Sequence, residues 1–375
     1  MDAALLMEPA FWQDSAPLAA GDSGLRLGEI PELEGHVLFP TSGSTGAPKW
    51  VALSKRALRI SAAAVNAQLG VGKDSRWGLA LPLHHVGGFS VAARAHEAAC
   101  GLQLFPARWE PLAFHQWLTR SAVTHTALVP TQVHDLVRAG LRAPATLRAV
   151  VVGGGNLAES IGLAARALAW PVLASFGMTE AASQIATQTL DALENPYQPA
   201  PLPVLPIWRA KLTAEGTLAL AGDALFSGYL VDGKFVARAG EFHVSSDRVA
   251  LNERWLTPLG RADALVKVLG ELVDPLEIER ELVEISGGEL VASRVAVLAI
   301  PDARAGQLLV PVFEAPLELS RVTEWLAVQR RQSPGFRRLQ PAAMVAEFPR
   351  SELGKLRRAE LLALYLEQTA RPEPP

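Results

Sequence analysis

From residue 36 to about 190, short runs of apolar and β-branched residues alternate with longer stretches in which apolar positions recur every three or four residues. The first kind of run marks a strand, and the second marks a helix with one buried face. HVLF at 36–39 and WVAL at 50–53 open the series, and Ser54 then offers a hydroxyl to cap a helix reaching about Gln68. Further apolar runs stand at GLALPL (78–83), THTALVP (124–130), LRAVVVGGG (147–155) and PVLASFG (171–177), most of them followed by helical stretches. That alternation predicts a largely parallel sheet covered by helices, an α/β arrangement.

Residues 191–206 hold five prolines and no regular period, so they read as a loop. Beyond them, WRAKLTAEGTLALAGDALFSGYLVDGKFV places Glu215-Gly216 and Asp232-Gly233 at turns between short strands. This predicts hairpins or a small barrel, a β-rich subdomain over about 206–258. The pattern changes again near Gly260. A helix from about Pro275, strands at RVAVLAI and QLLVPVFE, a helix around 319–331 and a strand ending near Phe348 form an α+β unit of ordinary domain size. The expected organisation is a large domain over 1–260 and a small one over 261–375.

Composition narrows the function classes. Of 375 residues 49% are hydrophobic, and the formal net charge is only −3, which leaves no broad basic field for nucleic acid. Small molecules are the expected partners, and nothing in the chain reports on oligomeric state. Cys100 is the single cysteine, so an internal disulfide and a multi-thiolate metal site are excluded; it reads as a buried hydrophobe in a reducing compartment. Acidic Asp2, Glu8 and Asp14 stand where a signal peptide would be basic, and no run approaches the ~18 apolar residues of a membrane helix. A cytoplasmic protein with no membrane insertion is therefore expected. Arginine outnumbers lysine 28 to 7, which draws attention to the lysines that remain. An ammonium is a compact point charge where a guanidinium is a planar fork, and the difference matters at a phosphate.

Three of the seven lysines fall in motifs. Thr41-Ser42-Gly43-Ser44-Thr45-Gly46-Ala47-Pro48-Lys49 offers four hydroxyls, two glycines and an ammonium between two strand-like runs. Backbone N–H groups, hydroxyls and a cation suit a polyphosphate, though composition alone leaves a flexible hairpin tip as the alternative. The spacing is not that of a P-loop, since Trp50 follows Lys49. The whole segment resembles the signature loop of the adenylate-forming superfamily, which includes acyl- and aryl-CoA synthetases. Further matches follow in the family's order: Leu81 to Gly88 around His84-His85, Ser175 to Glu180, Asp247, Gly260-Arg261-Ala262-Asp263, Lys267 to Glu279, and Pro349 to Arg358.

The resemblance implies an α/β domain followed by a mobile α+β domain, and a two-step ligation that uses ATP, Mg²⁺ and coenzyme A. It places ATP against Thr41, Ser42, Gly43, Ser44, Thr45, Gly46, Lys49, Gly154, Phe176, Gly177, Asp247 and Arg261. Catalytic roles fall to His85, Thr179, Glu180 and Lys355, with Glu180 holding Mg²⁺ and Asp263 at the hinge. The Ser-Ser before Asp247 departs from the usual threonine-glycine.

FGMTEAASQIATQ at 176–188 is especially similar to the 2-succinylbenzoate-CoA ligases of menaquinone biosynthesis. Arg94, nine residues after His85, stands where some of those enzymes carry an arginine for a second substrate carboxylate, and the acid is expected against His85, Arg94, Gly154 and Ser183. Only forty residues precede Thr41, so an N-terminal subdomain is expected to be reduced or absent, as in short forms of these ligases. The alternatives are another aryl or acyl acid-CoA ligase, an enzyme that loads a carrier protein, or a non-catalytic nucleotide-binding protein.

Overall fold

The computed structural model describes residues 2–21, 24–41, 49–269, 271–302, 304–352 and 354–370, with only the backbone of Asp263 and Ala370. The chain divides into two compact units, Met1–Ser245 with Val249–Pro258, and Ser246–Arg248 with Leu259–Pro375.

In the first unit the predicted alternation becomes a six-stranded sheet. Its order is Gly101–Leu104, Arg76–Leu79, His125–Leu128, Ala149–Val152, Val172–Phe176 and Ala186–Thr187. The first five strands are parallel and the last is antiparallel. Ala149–Val152 is buried along its whole length, as a strand covered on both faces must be. Neighbouring residues on Arg76–Leu79 serve opposite layers. Trp77 meets helix Val86–Glu97 through Arg94, while a Cβ at Gly78 would stand 2.9 Å from the ring of Trp117 in helix Pro111–Arg120. Helix Lys55–Gln68 starts where the sequence requires, with Ser54 accepting a hydrogen bond from Ala57 N–H at 3.0 Å.

The strands at 36–54 do not enter the parallel sheet, contrary to the sequence reading. His36–Thr41 and Lys49–Ser54 form an antiparallel hairpin within a separate five-stranded sheet that includes Gly228–Val231 and Lys234–Ala237. Apolar alternation shows that a segment is a strand but not which strand it pairs with. Both hairpins expected after residue 206 are present, yet they join different sheets. Gly228–Val231 and Lys234–Ala237 turn through Asp232 and Gly233, both at positive φ, and belong to the sheet just described. Arg209–Leu212 and Thr217–Ala221 belong to a second five-stranded sheet, with Leu202–Pro203, Trp255–Arg261 and His243–Asn252.

The second unit is built on the strands Val295–Asp302, Gly306–Glu314 and Ala343–Val345. Alternate residues of the first feed two cores. Val295 and Val297 pack with Ile278, Leu282, Val322 and Trp325 of helices Pro275–Ile285 and Leu319–Gln332. Ala296 and Leu298 pack with Phe348 and Leu361 on the other face. Asp274 caps helix Pro275–Ile285 by accepting from Leu276 N–H at 2.9 Å.

Candidate active site

Ser42, Gly43, Ser44, Thr45 and Gly46 lie outside the described residues, but both ends of their segment are fixed. Thr41 and Lys49 are partners across the hairpin, and Thr41 Oγ1 donates to the Lys49 carbonyl at 3.0 Å. Tyr229 on the adjacent strand lies opposite Val51, two residues from Lys49 and therefore on the same face. The Lys49 ammonium stands 3.2 Å from the centroid of the Tyr229 ring, a cation–π contact. The Tyr229 hydroxyl donates to Glu180 Oε1 at 3.0 Å. Burial, followed by the charge and hydrogen bond of Glu180, pushes the Tyr229 phenol well above its ordinary range and keeps it a donor. Phe226 N–H donates to the Glu180 carbonyl at 2.8 Å, and His243 meets the Phe226 ring edge-on at 4.9 Å. Burial lowers the His243 pKa, opposed by Glu180.

Glu180 belongs to a reversal that begins where the Val172–Phe176 strand ends. A Cβ on Gly177 would lie 1.6 Å from the Ser183 carbonyl oxygen, so only glycine lets the chain close on itself there. Thr179–Ala181 forms a single 3₁₀ turn, and Ala182 and Ser183 follow at φ 48° and 97°. Ile185 N–H then returns to the Phe176 carbonyl at 2.8 Å. Thr179 and Glu180 are thus carried on a turn anchored at both ends. Gly154 follows the neighbouring strand, at φ 75°, with Val129 Cγ1 3.6 Å from where its Cβ would be. The segments after residues 128, 152 and 176 all leave the carboxyl ends of parallel strands, where open α/β sheets bind ligands.

His85 follows a fourth such strand and directly precedes helix Val86–Glu97. The rings of His84 and His85 lie 4.3 Å apart, and a Cβ on Gly88 would sit 2.3 Å from the Pro82 carbonyl oxygen, which explains glycine at 88. Arg94 lies deeper than the sequence suggests. It is only 2% exposed, its guanidinium rests 5.4 Å from the Trp77 ring centroid, and Asn66 Nδ2 holds its backbone carbonyl at 2.8 Å. Among the described residues, Asn66 Oδ1, Trp77 Nε1 and Arg94 Nε have no hydrogen-bond partner. Burial lowers the Arg94 pKa to about 9, and no carboxylate among the described residues pairs with it.

Of the candidates in the second unit, Asp247 Oδ1 and Arg261 Nη1 lie 4.0 Å apart. The backbone of Asp263 forms part of the short 3₁₀ turn Ala262–Ala264. Lys355 is exposed on a turn closed by Ser351 N–H to the Lys355 carbonyl at 2.8 Å. Two carboxylates fix that turn's flanks. Glu314 accepts from Phe348 N–H and from Arg350 at 2.6 and 2.8 Å, and Glu279 accepts from Val297 N–H and Arg358, both at 2.7 Å. Glu279, the last residue of the Lys267–Glu279 motif, is therefore a buried brace.

Sequence reasoning missed Tyr229, His243 and Trp77. Tyr229 could be suspected only once its strand is paired with the one beginning at Lys49. Trp77 becomes visible only when its face of the sheet is known. Glu180 keeps Oε2 without a protein partner among the described residues, and that oxygen suits one carboxylate ligand of a phosphate-bound Mg²⁺.

A mainly parallel sheet whose carboxyl edge carries the Glu180 turn, with Glu180 linked through Tyr229 to Lys49, has the layout of a nucleotide-binding site. The chain belongs to the AMP-binding enzyme family, whose model matches residues 29–230, more than half its length. It is similar to the 2-succinylbenzoate-CoA ligase of Escherichia coli K12, 28% identical over 288 residues that make up 76% of this chain and 60% of that enzyme. The ligase of the same name from Staphylococcus aureus JH9 is 26% identical over 329 residues, 86% of this chain and 65% of the relative. The chain thus spans under two thirds of the length of these curated relatives. A variant of the E. coli MenE protein with bound OSB-AMS has the same α/β fold of several sheets and helices, with a TM-score of 0.72 and 25% identity over 88% of this chain and 69% of that one. Among the described residues no helix is long and apolar enough to cross a membrane.

Proposed function

We propose that this protein is an ATP-dependent acid–CoA ligase that converts 2-succinylbenzoate, ATP and CoA to 2-succinylbenzoyl-CoA, AMP and pyrophosphate, a step in menaquinone biosynthesis. The observation that carries this reading is the meeting of Lys49 and Glu180 on Tyr229, which links a phosphate-seeking cation to a carboxylate with an oxygen to spare. The names of the similar ligases supply the acid, and Arg94 supplies a cation with no carboxylate partner of its own among the described residues.

In the first half-reaction a substrate carboxylate oxygen bonds to the α-phosphorus of ATP and the bond to pyrophosphate breaks, leaving an acyl-adenylate. In the second, the CoA thiol adds to the acyl carbon, AMP leaves, and the thiol proton passes to solvent. No protein nucleophile is needed, so positioning and charge neutralisation carry the catalysis. Thr41, Lys49 and the hydroxyl-rich segment between them hold the phosphates, Phe176 stacks on adenine, and Gly154 and Gly177 admit the nucleotide. Asp247 and Arg261 take the ribose. Glu180 holds Mg²⁺, which when bound screens phosphate charge, and Thr179 donates to a phosphate oxygen. His85, Gly154 and Ser183 line the acid, with Arg94 toward its second carboxylate. Lys355 serves adenylation from a small domain that moves about Asp263.

The test is ATP–pyrophosphate exchange over a panel of acids, with thioester formation followed in the presence of CoA. Exchange dependent on 2-succinylbenzoate is expected. Absence of exchange with every acid, or strong exchange with simple benzoates alone, would overturn the assignment.

A further inference from the structure

We propose that Tyr229 is a positioning residue that keeps the phosphate lysine and the metal carboxylate apart while orienting both. This role rests on the assignment of Lys49 to phosphate and Glu180 to Mg²⁺. Two opposite charges approach one side chain at two chemically different places. The Lys49 ammonium meets the π face at 3.2 Å from the centroid, and Glu180 Oε1 accepts from the hydroxyl at 3.0 Å. An ammonium and a carboxylate that reach the same side chain would otherwise gain by pairing directly, because partly buried opposite charges attract strongly. A direct pair would consume the cation intended for phosphate and the oxygen intended for a metal ion. The ring gives each charge a weaker, reversible partner instead. A cation–π contact yields readily to a phosphate oxygen, and a hydrogen bond to Oε1 leaves Oε2 to a metal.

The placement is built by the fold. Tyr229 is held by antiparallel pairing with both Lys49–Ser54 and Lys234–Ala237, and its ring lies 4.6 Å from that of Phe226, whose N–H holds the Glu180 carbonyl. Ring and hydroxyl therefore have separable jobs. The ring face serves Lys49 and ATP without metal, and the hydroxyl serves Glu180 and the metal-dependent part of binding.

Calorimetric ATP binding to the full chain, with Mg²⁺ and with EDTA, separates the two for wild type, Tyr229→Phe and Tyr229→Leu. Tyr229→Phe keeps the ring, so its affinity in EDTA stays within about twofold of wild type while the gain from Mg²⁺ falls about tenfold, as for loss of a hydrogen bond to a charged group. Tyr229→Leu weakens binding under both conditions. An upfield NMR shift of the Lys49 ε-protons over the ring, kept in Phe and lost in Leu, reports the geometry without ATP. If Phe and Leu behave alike, or if neither changes the Mg²⁺ gain, Tyr229 does not position these groups. If the wild type binds no ATP, the functional assignment itself fails.

Discussion

A guanidinium in a protein core normally has a carboxylate beside it, because burying an isolated charge is costly. Arg94 has an indole instead, with Asn66 fixing its backbone. Replacement by a neutral side chain of similar length relieves that cost, so Arg94→Met is expected to leave the denaturation midpoint unchanged or raise stability by about 1 kcal/mol. If the cation meets a substrate carboxylate, the same variant lowers kcat/KM for 2-succinylbenzoate by about a hundredfold, the scale of a lost charge-assisted hydrogen bond. Thermal melts and steady-state kinetics of one protein preparation check both outcomes. Gly177→Ala reports the opposite kind of residue. With 1.6 Å between the new Cβ and a carbonyl oxygen, the turn bearing Thr179 and Glu180 must open, and loss of soluble protein or of ATP binding is expected in a folding and binding assay. At this scale the sequence was informative where a residue answers a local demand, as with Ser54, whereas the closure that requires glycine at 177 came only with the structure. Arg94 was legible as a cation, but its burial against Trp77 depends on a sheet face that no local pattern reports.

Among the elements, those whose signal lies within ten or fifteen residues were readable. Helix Lys55–Gln68 begins after its capping serine, and the turn at Asp232-Gly233 supplies the two positive-φ residues of a tight hairpin. Ser54→Ala should cost about 1 kcal/mol, measured as a lowered urea midpoint with the slope unchanged. Pairing between distant strands was not readable. His36–Thr41 and Lys49–Ser54 look like openers of the parallel sheet, yet they pair with each other, and Lys49–Ser54 pairs next with Gly228–Val231, some 180 residues on. That pairing brings Tyr229 to Lys49, so part of the candidate site depended on a contact of high sequence separation. The carboxyl-edge loops were easier to place, because each follows its own strand directly.

For the molecule as a whole, each of the two units has hydrophobic cores of its own. In the first, His125 is fully buried, and burial, opposed by the Leu69 carbonyl and reinforced by Arg148, lowers its pKa to about 4. Its unfolded value of about 6.5 is higher, so the unfolded chain binds the extra proton between those pH values. The stabilisation from a neutral His125 is complete above about pH 6.5 and is lost as pH falls toward 4. Between pH 7.5 and 5 the wild type should lose on the order of 1–2 kcal/mol more than His125→Phe, read from denaturant midpoints. In the second unit, Lys355→Ala is expected to abolish exchange while sparing thioester formation from supplied acyl-adenylate; equal loss of both would remove Lys355 from the first half-reaction.

The closure at Gly177 also bears on how such a site can change over generations. Because Ser183 folds back onto Gly177 and Ile185 returns to Phe176, the intervening segment has a fixed length. A library that varies Met178, Ala182 and Ser183 at constant length explores new specificities within an intact frame. One that inserts or deletes a single residue there displaces Glu180 before any new acid can be tried.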